Sequence, residues 1–123
     1  LVMTANGGPA RLLRNDGGER AQHLRLKLVG GAKANRDAIG AFARVTSANG
    51  TSPWLMVRTG SSYLSQSEMP LTFGLGTAAK VTKIEIKWPD GSSESLDAGA
   101  DAGQTITVEQ GKGITARAPF ARK

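Results

Sequence analysis

Lys80-Val81-Thr82-Lys83-Ile84-Glu85-Ile86-Lys87-Trp88 is the stretch on which the fold turns. Ile84, Ile86 and Trp88 fall on one side of an alternating run, and Lys83, Glu85 and Lys87 fall on the other. A period of two belongs to a strand with one face in a core and one in water. Pro89-Asp90-Gly91 follows at once. Pro sets φ, Asp bonds its own backbone and Gly takes a left-handed position, so the chain turns back into residues 92–96.

The same signs recur on both sides of this strand. Residues 23–29 alternate, with Leu24, Leu26 and Leu28 toward a core and Arg25 and Lys27 toward water, and Gly30-Gly31 stops them. Residues 38–47 read as the next strand. Asn49-Gly50 is a strong hairpin signal, and residues 54–59 return antiparallel, with Pro53 placed where no donor is needed. Residues 71–76 read as a short buried strand. Its Phe73-Gly74-Leu75-Gly76 motif suits close backbone approach. Residues 97–103 read as a flexible connection, and 104–109 as the closing strand. Residues 111–123 lack periodicity and read as a disordered basic tail. At the front, residues 1–4 and 10–15 flank Asn6-Gly7-Gly8-Pro9 as a hairpin, before Asp16-Gly17-Gly18 breaks the chain. This hairpin is either the first of this domain or the last of something upstream. The expected fold is an antiparallel β-sandwich of about eight strands.

Composition narrows the classes further. The chain has 123 residues, the size of one domain with a self-sufficient core, and no Cys, which excludes a disulfide scaffold, a thiolate zinc site and a Cys nucleophile. The net charge of +6 suits an anionic partner. The cations are scattered, however, and no aromatic residues interleave with them, which argues against nucleic acid. No apolar run approaches the roughly 20 residues of a membrane-spanning helix. The chain opens in mid-pattern at Leu1, which reads as a fragment of a longer protein.

Two polar loops stand out as ligand-binding candidates. Asn35, Arg36 and Asp37 offer an amide, a guanidinium and a carboxylate suited to sugar hydroxyls. The competing reading is an internal Arg-Asp pair with Asn in a turn. Ser61, Ser62, Tyr63, Ser65 and Gln66 offer hydroxyls, an amide and a ring. The competing reading has them satisfy one another, with Tyr63 and Leu64 plugging the end of the sandwich. His23 is the only histidine and has no Gly-x-Ser-x-Gly elbow to serve, so no catalytic residue is assigned. Asp90, Glu94, Asp97 and Asp101 lack the spacing of a calcium loop, so no metal ligand and no cofactor are assigned. Asn49-Gly50-Thr51 matches a glycosylation sequon.

Four motifs in order, Asn35-Arg36-Asp37-Ala38-Ile39-Gly40-Ala41, Gly60-Ser61-Ser62-Tyr63-Leu64-Ser65-Gln66-Ser67, Phe73-Gly74-Leu75-Gly76 and Trp88-Pro89-Asp90-Gly91, together resemble the ASPIC/UnbV domain. The resemblance covers about residues 20–110 and implies a domain over residues 17–110. It implies that residues 1–16 are the terminal hairpin of an upstream FG-GAP/VCBS-repeat propeller, or the junction to it. It also implies an extracellular or cell-envelope setting, with calcium, if any, in the propeller. Phe42 departs from the charged or polar residue usual in the family. It either adds an exposed apolar spot or packs on the upstream domain. The expectation is a non-enzymatic binding module for a glycan or protein, without membrane insertion; the alternative is a structural cap on the last propeller blade.

Overall fold

The computed structural model describes residues 1–14, 16 and 21–120. Asn15 of the expected opening hairpin, Gly17, Gly18 and residues 121–123 of the expected tail lie outside the described residues. The described residues form eleven strands and no helix: β1 (Val2–Ala5), β2 (Gly8–Leu12), β3 (Gln22–Val29), β4 (Phe42–Ser47), β5 (Gly50–Thr51), β6 (Leu55–Met56), β7 (Leu71–Gly76), β8 (Lys80–Lys87), β9 (Ser93–Asp101), β10 (Gln104–Glu109) and β11 (Gly113–Pro119). The surplus over about eight comes from β5 and β6, two residues each, and from β11.

The strands make three sheets: the β1-β2 hairpin, and two larger ones, of order β11-β10-β3-β7 and of order β5-β4-β8-β9 with β6 also on β4. Among the described strands only β10 and β3 run parallel. Buried residues of both sheets form one cluster, including Leu24, Leu26, Val45, Phe73, Ile84, Ile86 and Ile106. This is the sandwich that the alternating patterns require, each such side chain contributing about 1.5–3 kcal/mol by leaving water. Trp88 is 3% exposed, in phase with Ile84 and Ile86.

Side chains tie the two sheets together at their margins. Arg117 of β11 donates to the carbonyls of Ala98 (2.7 Å) and Gly99 (3.3 Å) of β9. Asn49, in the β4–β5 turn, donates from Nδ2 to the Leu75 carbonyl of β7 at 2.9 Å. At the end of the sandwich, Asp90 and Gln110 are joined at 2.9 Å.

Several expected boundaries are corrected. Residues 38–41 form a turn, and β4 starts at Phe42. Asn35 holds this turn: its Oδ1 accepts the Ile39 amide at 2.8 Å and its Nδ2 donates to the Ile39 carbonyl at 2.9 Å. Ala38 takes a left-handed φ of 52° there, fully buried. The expected strand at 54–59 shrinks to β6. Pro53 interrupts pairing, and Ser52 Oγ takes over as acceptor for the Val45 amide at 3.0 Å. The expected flexible connection at 97–103 is mostly the second half of β9, because Ala98 and Ala100 turn inward and are buried.

The expected disordered tail is corrected most. Gly113–Pro119 pairs along β10, from Glu109↔Gly113 to Gln104↔Pro119. Ile114 packs on the core, and Phe120 lies edge-on to His23 with centroids 5.1 Å apart. The glycine motif of β7 divides in two. A Cβ on Gly74 would meet nothing within 4 Å, so no close approach explains it. Gly76 has φ +58° and faces Asn49 Nδ2, 3.2 Å from where its Cβ would sit.

Candidate functional site

The polar residues singled out in the sequence are spent largely on their own loops. Asn35 is committed to Ile39 through both side-chain atoms. Arg36 and Asp37 pair with each other at 3.3 Å. In the serine-rich loop, Ser62 and Ser65 form an isolated bridge, Ser65 Oγ donates to the Tyr63 carbonyl at 3.1 Å, and Ser61 meets Ser67 at 3.5 Å. Tyr63 and Leu64 do not plug the sandwich: they are 88% and 89% exposed at the loop tip. Leu64 takes a left-handed φ of 50°, which turns the loop sharply at that point. Gln66 is also exposed. His23 of β3 packs against Phe120, which follows β11.

A different surface gathers the chemistry. Phe42 begins β4 with its side chain on the outer face, between Met56 of β6 on one side and Lys87 of β8 on the other in the strand register. The inward places of β4 go to Ala43 and Val45, so the period of two forces Phe42 and Arg44 outward. Phe42 is 41% exposed and Met56 39%. Trp54, just before β6, is half-buried beside them.

Trp54 lines two neighbouring clefts. One, of about 490 Å³, lies between β6 and the start of β7, with Phe42, Leu55, Met56, Arg58, Glu68 and Pro70 in its walls. The other, of about 350 Å³, runs along β8 and β9 past Arg44, Glu85, Lys87 and Glu94. Two cations sit against the indole: the Arg44 guanidinium carbon at 4.7 Å and Lys87 Nζ at 4.6 Å from the ring centroid. The ring's negative face holds both in place.

Charge here is partly compensated. Arg44 forks onto Glu85, Nε to Oε2 at 2.8 Å and an Nη to Oε1 at 3.2 Å, and Lys83 lies 3.5 Å from the same carboxylate. The Arg44 hydrogen bond, more than the nearby charges, holds Glu85 below the usual carboxylate range. Glu68 is bonded to Arg25, and Glu94 accepts the Gly111 amide at 2.7 Å. Arg58 and Lys87 have no carboxylate within ion-pair reach among the described residues. No three His, Asp or Glu side chains converge among the described residues.

None of Asn35, Arg36, Asp37, Ser61, Ser62, Tyr63, Ser65 and Gln66 lines these two clefts; the serine loop reaches the first only through Ser67, Glu68 and Pro70. The sequence signals that were available are the Pro53-Trp54 step, where an aromatic follows a strand-breaking residue, and the apolar Phe42 at an outward position.

No curated protein and no solved structure matches the chain. Residues 31–115 match the ASPIC and UnbV family, a domain typically associated with FG-GAP/VCBS-repeat proteins. The match begins after β3, runs through both clefts, and takes in the first residues of β11. With most of its length matched, the chain belongs to the ASPIC and UnbV family.

Proposed function

We propose that the chain is a non-catalytic recognition module of an extracellular or envelope protein, attached to a repeat propeller, that binds a glycan or a protein. One observation carries this reading. Exposed Phe42 and Met56 and half-buried Trp54 form an aromatic and apolar surface flanked by cations and opening into two clefts. Aromatic, Met and Arg side chains are the types enriched at recognition surfaces. A core-forming role leaves Phe42 and Met56 unexplained, since both lie outside the buried cluster.

The test is binding of the whole chain to immobilised neutral and acidic polysaccharides and to a displayed random-peptide library, at low and high salt. The Trp54→Ala and Phe42→Ser variants serve as references. Binding that survives salt and is lost in the variants supports the reading. Binding only to acidic chains that disappears with salt reduces it to the +6 net charge. No binding to either set refutes it.

A second reading, a structural cap on the preceding propeller blade, rests on the β1–β2 hairpin. Every residue of both strands is exposed, Val2 to 65% and Leu12 to 81%. A lone two-stranded hairpin is at best marginally stable in water, so this one calls for a covering surface. If removing residues 1–16 changes neither the melting temperature nor the binding of an apolar dye, the cap reading fails.

A further inference from the structure

We infer that the cleft between β6 and the start of β7 takes an extended, acidic, apolar-anchored segment of a partner polypeptide. The inference rests on the recognition-module reading and selects protein over glycan for that site.

Three observations lead there. The first is the shape of the margins. β7 ends its sheet, and β6 lies on the far side of β4 from β8, so two strand margins flank the cleft without a strand between them. Unpaired strand margins offer backbone donors and acceptors to an extended chain. The second is the apolar surface. Phe42 and Met56 face solvent side by side, with Leu55 and Pro70 half-buried next to them. A phenyl ring, a thioether and aliphatic groups suit an apolar side-chain anchor. The indole that a sugar ring would stack on is already engaged by Arg44 and Lys87. The third is charge. Arg25 and Arg44 are spent on Glu68 and Glu85, while Arg58 in the cleft wall and Lys87 beside Phe42 keep their charge uncompensated among the described residues. The complement is a segment with Asp or Glu close to a large apolar residue.

The experiment pans a displayed random-peptide library against the whole chain, with counter-selection on a Phe42→Ser, Met56→Ser double variant. Both positions are exposed, so the variant is expected to fold, and circular dichroism with a melting curve confirms it. Enriched sequences are expected to pair an acidic residue with an aromatic or long aliphatic one. A synthetic peptide made from them is expected to shift Trp54 fluorescence. Charge reversal at Arg58→Glu, which leaves the apolar wall in place, is expected to weaken it about tenfold or more. Enriched peptides without acidic residues, or affinity unchanged by Arg58→Glu, overturn the inference. Binding of a polysaccharide with no peptide enriched also overturns it, while leaving the recognition-module reading intact. Binding of neither overturns both.

Discussion

Gln110 reaches from the end of β10 to Asp90 in the β8–β9 turn, donating from Nε2 to Oδ2 at 2.9 Å, and with Oε1 it accepts the Gly31 amide at 3.1 Å. One side chain thereby joins three chain segments: the turn of one sheet, the end of β10 and the exit from β3. Asp90 is the reason the turn can take part. Its Oδ1 accepts both the Ser92 amide, at 2.9 Å, and the Ser92 hydroxyl, at 2.6 Å, which leaves Oδ2 aimed at Gln110. Replacing Gln110 by Ala leaves the partly buried Gly31 amide without an acceptor and frees one end of the sandwich. The expected loss is about 1–2 kcal/mol, read from the urea midpoint at unchanged m-value. Gln110→Glu keeps the acceptor for Gly31 but sets a carboxylate against Asp90, so it is expected to restore stability only at acidic pH.

Acid is expected to weaken the fold through two named carboxylates. The Ser92 hydroxyl, the Ser92 amide and Gln110 hold Asp90 below its ordinary pKa, and Arg44 does the same for Glu85. A folded-state pKa below the unfolded value means that the unfolded chain binds the proton more tightly. The stabilisation is therefore complete above the ordinary carboxylate range and is lost as pH falls through the lowered values. Melting temperature measured downward from neutral pH is expected to fall on the acid side. Asp90→Asn and Glu85→Gln should each make that fall shallower while lowering stability at neutral pH. An acid limb of unchanged slope in both variants would show that these bonds do not set it.

Glycines that look alike in the sequence are expected to behave in opposite ways. A Cβ on Gly30 would lie 2.0 Å from the Asn35 carbonyl oxygen, a backbone atom held in place because the Gly30 amide donates to the Arg36 carbonyl at 3.0 Å. Gly30→Ala must therefore move the loop that carries Asn35, Arg36 and Asp37, at a cost of roughly 1–3 kcal/mol or more. Gly74→Ala meets nothing within 4 Å and needs no left-handed backbone, so it is expected to be neutral or slightly stabilising. Thermal melts of the two variants check both.

The parts of the fold that were legible in the sequence are those written in large apolar side chains. Leu24, Leu26 and Leu28 on β3 and Ile84 and Ile86 on β8 announce their faces by alternation, and all are buried. The second half of β9 carries its inward positions on Ala98 and Ala100, which have weak strand preference and resemble a linker. The Asn35 loop was legible in chemistry but not in role. Its polar atoms suit a ligand as well as a turn, and the Ile39 bonds show what the Asn35 side chain does for the turn. Trp54 was legible as a residue but not as part of a site. Its importance comes from Arg44 and Lys87, which sit on other strands and reach the indole only through the β4–β8 pairing.

The end of the chain supplies the most direct test of the architecture. Residues 111–123 show no alternation of large apolar groups, because β11 contributes one partly buried Ile114 and otherwise Ala, Thr, Arg and Pro. What holds it is backbone pairing along β10 and the Arg117 guanidinium on the Ala98 and Gly99 carbonyls. Those bonds link β11 of one sheet to β9 of the other on the margin opposite the Asn49–Leu75 bond, so Arg117 ties a second side of the sandwich. Arg117→Ala is expected to lower stability by about 1–2 kcal/mol, a charged donor to a partly buried carbonyl being worth more than a neutral one. Removing residues 111–123 is expected to cost more than Arg117→Ala, since β10 would become an edge strand and Ile114 would leave the core. Amide hydrogen exchange gives the independent reading: protection across 113–119 is expected in the whole chain, and rapid exchange there would mean that β11 does not close the sheet.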